Sequence, residues 1–223
     1  MNRAQMFLLD ILYPNRCDCC GSRIPYDRLI CDECTDMLMD QRISYSDWAG
    51  TDHANPWQEG TVLFPYADAA RTGLLAMKDG RRGFSRFAAK LLAESLAETD
   101  GISFLTWVPV TAKRRRQQGY AHAELLAGYI SEELGIPAKG GMLEEHAGTL
   151  RQHDLPAEER QKYAERFSGT GADLSGQHIL LIDDILTTGA TLRRCTSLLL
   201  DMGAARVDIA AVCASVKGSA AQY

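Results

Sequence analysis

Two adjacent carboxylates, Asp183 and Asp184, follow four apolar residues, Ile179 to Ile182. They precede Ile185-Leu186 and the small-residue stretch Thr187-Thr188-Gly189-Ala190-Thr191. Four apolar residues in a row predict a buried strand, and in a parallel α/β sheet the carboxyl ends of the strands line the ligand crevice. A small-residue turn that opens a helix offers unpaired backbone N–H groups and the positive end of the helix dipole, the chemistry of a phosphate cradle. The three threonines add hydroxyl donors. Paired carboxylates do the complementary work, accepting from sugar hydroxyls directly or through Mg²⁺. Sugar hydroxyls beside a phosphate are the face of a ribose phosphate. A Thr-Gly turn alone is a common helix cap, and an acidic pair at a strand end is often simply solvated; the combination disfavours both readings. No G-x-x-x-x-G-K-[ST] is present, so this is not a nucleoside-triphosphate P-loop.

Five of the seven cysteines fall between residues 17 and 34. Cys17 and Cys20 form one C-x-x-C and Cys31 and Cys34 another, joined by a link holding the turn formers Gly21, Pro25 and Asp27. Two such turns facing each other complete a tetrahedral thiolate shell suited to structural zinc, with no open position for chemistry. An odd cysteine count without a secretion signal argues against disulfides, and a redox C-x-x-C usually stands alone. Cys19 is read as unligated, and Cys195 and Cys213 as small buried hydrophobes.

Certain broader function classes are excluded. The 223-residue chain carries a net charge of −5, so no global positive field recruits nucleic acid. The deficit is local: residues 1–60 hold 5 basic and 10 acidic residues, whereas Arg71 to Tyr120 holds 10 basic and 4 acidic, including the run Lys113 to Arg116. That stretch is the expected anion-facing surface, with a solvated basic face as the alternative. No run is long and apolar enough to span a membrane. The N-terminal MNRAQMFLLDILYP has one Arg, an apolar run broken by Asp10 and no small-residue cleavage site, and is read as an amphipathic helix packed on the protein itself. The expected location is the cytoplasm. His122, His146, His153 and His178 are isolated, with no Ser or Cys nucleophile to pair with.

The elements that position these groups follow from periodicity. Thr61 to Tyr66 reads as a strand that Pro65 limits to a sheet edge or a strand end. Residues 69–78 and 84–99 read as helices, the second with Phe84, Phe87, Leu91, Leu92 and Leu96 on one face. Phe104 to Val110 is a predicted buried strand, Tyr120 to Leu134 a helix stopping at Gly135, Ile179 to Ile182 a strand, Gly189 to Met202 a helix and Val207 to Val212 a strand. Residues 35–60 read as a connecting segment with one helical turn. Residues 137–176 are the least ordered by composition, with a helix around 156–166. Alternating strands and helices predict an α/β fold, a parallel sheet with helices on both faces.

Ile179 to Thr191 resembles the 5-phosphoribosyl-1-pyrophosphate (PRPP) signature of type I phosphoribosyltransferases. With the four-cysteine module, the chain resembles the ComF family of competence proteins over nearly its whole length. Tyr13-Pro14, Met77-Lys78-Asp79-Gly80, Val108-Pro109-Val110, the Arg-rich turn into Gly119-Tyr120, Gln152, Leu155, Arg160 and Phe167 also match. Gln118 to His122 departs from the family's R-G-F-N-Q, and Lys162 stands where the family has Asn.

The resemblance implies a type I phosphoribosyltransferase-like sheet over residues 61–223 and a zinc-binding module with its linker over 1–60. It implies Mg²⁺-dependent displacement of pyrophosphate from PRPP through an oxocarbenium-like transition state, by charge placement and positioning. Asp183 and Asp184, the catalytic pair, would hold the ribose hydroxyls and Mg²⁺. Thr187, Thr188, Gly189, Ala190 and Thr191 would hold the 5-phosphate, and Arg114, Arg115, Arg116 and Lys78 the pyrophosphate. The acceptor is unidentified; Thr187 replaces the Asp base of purine-salvage enzymes. Two further readings stand beside the enzyme. One is an accessory factor of DNA uptake that binds single strands through Arg114 to Arg116 with Trp48, Trp57 and Tyr120. The other is a PRPP sensor that signals to a partner.

Overall fold

A computed structural model of the chain describes residues 15–49, 55–118, 121–146 and 166–215. In chain order these form α1 (Asp32–Asp40), α2 (Tyr45–Ala49), β1 (Gly60–Pro65), α3 (Asp68–Lys78), α4 (Gly83–Leu96), β2 (Phe104–Trp107), α5 (Ala112–Gln118), α6 (His122–Leu134), β3 (Leu143–Glu145), β4 (Phe167–Gly169), β5 (His178–Leu186), α7 (Ala190–Asp201) and β6 (Arg206–Ala214). Four strands make one parallel sheet in the order β1-β6-β5-β2, and β3 and β4 pair antiparallel beside it.

The central strands are apolar on both faces because both faces are covered. Leu180 and Ile182 of β5, with Ala210 and Val212 of β6, pack into one cluster with side chains of α3, α4 and α6. Ile179 and Leu181, with Val207, Ile209 and Ala211, pack into a second with α7, Leu143 of β3, Phe167 of β4 and Trp57. Successive residues pointing to opposite faces produce this division.

Most predicted elements lie where periodicity put them, and the differences have local causes. β5 continues four residues past Ile182, so Asp183 and Asp184 lie within the strand rather than beyond its tip. Its pairing with β6 persists to Leu186 opposite Ala214, holding the polar residues extended. β2 ends at Trp107, short of the expected Val110, because Pro109 carries no N–H for a ladder. The nine-residue helix α1 runs into the segment read as a connection, ending at Asp40. Only Cys34 and Leu38 of α1 are buried, leaving no apolar stripe to read, and its N-cap is a module cysteine, Cys31, whose sulfur accepts from Cys34 N. The Arg-rich turn is a helix, α5. The N-terminal amphipathic helix, the helix around 156–166, Gly119, Tyr120, Gln152, His153, Leu155, Arg160 and Lys162 lie outside the described residues.

The cysteine segment shares the main core. Cys17, Cys19, Ile24, Ile30, Cys34 and Leu38 join the same apolar cluster as Phe84, Leu92 and Leu126. Buried Asp18, between the first two cysteines, accepts from Phe84 N at 2.7 Å in the first turn of α4 and from Arg81 Nε at 2.8 Å. It thereby satisfies a helix end whose own N-cap residue, Arg82, makes no side-chain cap. Approach is closest at Gly83, where a Cβ would overlap the Leu29 carbonyl.

Candidate functional site

The crevice arises where β2 leaves the sheet. Val108 N donates to Ile182 O at 3.0 Å, and no β2 residue pairs with β5 beyond Ile182. Asp183 to Leu186 therefore keep β6 on one side and a gap on the other, the geometry in which α/β proteins seat ligands. The chain leaving β2 is pinned across the gap, Thr111 N donating to Glu145 Oε2 at 2.8 Å.

The two carboxylates have different surroundings. Asp184 Oδ2 lies 3.4 Å from Lys78 Nζ at the end of α3, and its charge also acts on His122 at the start of α6. The Asp183 charge also acts on Cys195 of α7, and its Oδ1 accepts from Asp184 N at 2.9 Å. Burial, the neighbouring Asp184 charge and the side-chain hydrogen bond with Asp184 push the Asp183 carboxyl well above the usual range. Burial pushes Asp184 up as well, but Lys78, the hydrogen bond with Asp183 and His122 outweigh it and hold Asp184 below the usual range. The pair thus favours one proton, held on the Asp183 side, with Asp184 ionised against Lys78. Burial lowers the pKa of His122; Asp184 opposes this, while Lys78 and Arg114 reinforce it, so the ring favours its neutral form.

The turn after β5 is held by its carbonyls. Trp48 Nε1 of α2 donates to Thr187 O at 2.8 Å, and Arg193 of α7 donates to Thr188 O at 2.8 Å. Thr188 Oγ1 accepts weakly from Ala190 N at 3.4 Å. Gly189 sits at φ +75°, and a Cβ there would lie 2.9 Å from the Trp48 ring, so both conformation and space require glycine. Among the described residues, no carbonyl of the protein accepts from the amides of Thr188 or Gly189. Thr191 is buried at the first turn of α7.

Of the predicted site residues, Asp183, Asp184 and the Thr187–Thr191 turn lie together at the end of β5, and Lys78 joins them through Asp184. The arginines diverge. Arg114 is close enough for its charge to act on His122, whereas Arg115 pairs with Glu124 at 2.6 Å and Arg116 is exposed on α5. Of the aromatics considered for base stacking, Trp57 is only 5% exposed and packs edge-on to Tyr45. Sequence reasoning passed over His122, Arg193 and the role of Trp48. The departure at His122 was visible but its burial beside Asp184 was not, and no spacing connects Trp48 to a turn 139 residues away.

The four-cysteine cluster is as the spacing predicts. The Sγ atoms of Cys17, Cys20, Cys31 and Cys34 lie within 4.8 Å of one another, with Cys20 and Cys31 at 3.6 Å. Metal–sulfur bonds of about 2.3 Å in a tetrahedron place sulfurs roughly 3.8 Å apart, so the cluster could hold a metal such as zinc. A hydrogen bond from Ser22 is the first cause lowering the Cys20 thiol to about 6, while burial raises Cys31 and Cys34. Cys19 is buried outside the cluster, its thiol raised mainly by burial. Among the described residues, no helix is long and apolar enough to cross a membrane.

Residues 123–222 match the family described as phosphoribosyl transferase domain. The chain is 27% identical over 165 residues to DNA utilization protein YhgH of Escherichia coli (strain K12), covering 71% of this chain and 73% of that protein. It is 29% identical over 105 residues to Competence protein F of Haemophilus influenzae, covering 46% of each. Among solved structures, purine phosphoribosyltransferase from Pyrococcus horikoshii aligns at 21% identity over 58% of this chain and 73% of that chain, with a TM-score of 0.38. The parallel sheet flanked by helices resembles that of type I phosphoribosyltransferases, and the chain is a homologue of DNA utilization protein YhgH and Competence protein F, with a phosphoribosyl transferase domain and an N-terminal four-cysteine cluster.

Proposed function

We propose that this chain binds PRPP at the end of β5 and acts as a Mg²⁺-dependent phosphoribosyltransferase-type protein in the handling of incoming DNA. The observation that carries this reading is the juxtaposition at one strand end. Two half-buried carboxylates sit beside a turn whose carbonyls are taken by Trp48 and Arg193 and whose Thr188 and Gly189 amides meet no carbonyl of the described protein. In the proposed complex Asp183 and Asp184 accept from the ribose hydroxyls, and the amides and hydroxyls of Thr187 to Thr191 donate to the 5-phosphate. A paired carboxylate set with one ionised member fits an oxygen-liganded divalent cation, so Asp183 and Asp184 would hold Mg²⁺, which when bound would supply positive charge against pyrophosphate. Lys78 and Arg114 supply positive charge on the same side, and neutral His122 lines the approach to Asp184. Arg115, bound to Glu124, is removed from the pyrophosphate set.

The relatives, a DNA utilization protein and a competence protein, support the link to DNA uptake. We place the working boundary near residue 60, with the four cysteines holding one structural zinc. Titration calorimetry with PRPP tests the site. Binding is expected with Mg²⁺ and weakened at least a hundredfold in Asp183→Asn/Asp184→Asn; equal affinity in that variant would overturn the reading. Pyrophosphate release with candidate acceptors then separates a transferase from a sensor.

A further inference from the structure

We propose that Trp48 and Arg193 are positioning residues that pre-form the phosphate-binding turn, so that the segment before β1 completes the site. The inference rests on the PRPP reading and adds residues that none of its motifs contains. In a trans peptide the C=O and the following N–H point in opposite directions, and the described residues contain no cis bond. Trp48 Nε1 holds the Thr187 carbonyl at 2.8 Å, so the Thr188 amide faces away from the indole. Arg193 holds the Thr188 carbonyl at 2.8 Å, so the Gly189 amide faces away from the guanidinium. Two consecutive donors are thereby turned to one purpose before any anion arrives, which removes reorganisation from the binding step.

Each clamp is itself anchored. Arg193 Nε donates to Asn55 Oδ1 at 2.9 Å, and Asn55 Nδ2 donates to the Tyr45 hydroxyl at 3.1 Å. The same hydroxyl accepts from Trp57 Nε1 at 2.6 Å. The Trp48 ring stacks at a tilt on Tyr45, centroids 5.7 Å apart, and presses on the face of Gly189 where a Cβ would stand. A side chain fixed by its neighbours fixes the carbonyl it holds. The aromatic residues between the cysteines and β1 therefore serve as a platform beneath the turn.

The test is calorimetric titration of ribose 5-phosphate with Mg²⁺ into the full chain as wild type, Trp48→Phe, Arg193→Gln and Arg193→Lys, with thermal melting and ¹⁵N-glycine spectra of each. Trp48→Phe removes the indole N–H with the five-membered ring that carries it and keeps an aromatic ring at the position, and the melting curves separate lost packing from the lost hydrogen bond. We expect affinity about tenfold weaker in Trp48→Phe and Arg193→Gln, part of it recovered in Arg193→Lys, which keeps one donor, with melting within about 2 °C of wild type. The Gly189 amide should shift on ligand addition in wild type and respond less in the two weakened variants. Wild-type affinity in folded Trp48→Phe and Arg193→Gln would overturn the clamp and leave the site standing. A wild type that takes up no ribose 5-phosphate would overturn the site and the clamp with it. Should Trp48→Phe not fold, the Arg193 pair decides alone.

Discussion

The two regions rich in chemical groups, the cysteine turns and the end of β5, are built on opposite terms. Around Cys17, Cys20, Cys31 and Cys34, the buried polar contacts tie the fold together: Asp18 caps α4 and binds Arg81, while Arg81 also reaches Arg16 O. At the end of β5 the groups are left in tension. Two carboxylates favour one proton between them, a glycine sits at positive φ against an indole, and two amides meet no carbonyl among the described residues. Structural sites satisfy their own groups, and binding sites keep some unsatisfied for a ligand. Substitutions in the first region should therefore cost stability, and those in the second should cost ligand.

The largest effect is expected from Cys31→Ser. Metal analysis should find one zinc per wild-type chain and none in the variant, with stability lower by at least about 3 kcal/mol and Tm down by roughly 10 °C. A folded, metal-free wild type of unchanged Tm would erase the contrast. Next comes Asp18→Ala, which unpairs the first turn of α4 and strands Arg81; urea denaturation should show a loss of about 2 kcal/mol, with ligand affinity little changed. Gly189→Ala should cost about 1–2 kcal/mol through positive φ and the Trp48 contact, and unlike Asp18→Ala it should also weaken ribose 5-phosphate binding.

The smallest change has the opposite sign. Because the folded-state pKa of Asp183 is raised, the native protein keeps a proton that the unfolded chain has already released, so stability falls as pH rises from the unfolded pKa towards the folded one. Asp183→Asn removes that penalty. Its Tm should exceed wild type by about 3 °C at pH 8, and the gain should vanish near pH 4, while PRPP binding is lost. A variant less stable than wild type at pH 8 would place Asp183 among the structural residues.

Legibility in the sequence divides along the same line. The cysteine shell could be read because its ligands are local: two C-x-x-C turns carry their geometry in their spacing. The strand-turn-helix from Ile179 to Thr191 could be read for the same reason, apart from the extra length of β5, which pairing with β6 imposes from outside. What escaped is what topology assembles. His122 and Trp48 come from α6 and α2, and each reaches the end of β5 only because the sheet order brings it there. Helix α1 escaped because its order comes from a cysteine cap and two buried residues rather than from an apolar stripe. The run Arg114 to Arg116 looked like one anion-binding unit, yet a helix turns consecutive side chains about 100° apart, and Glu124 claims Arg115.

A crystal structure of the full chain grown with PRPP and Mg²⁺ tests the central claim most directly. The account predicts ribose hydroxyls on Asp183 and Asp184, and the 5-phosphate on the Thr188 and Gly189 amides, with Trp48 and Arg193 still holding the carbonyls behind them. A phosphate bound elsewhere, with the acidic pair still turned to Lys78 and solvent, would contradict it.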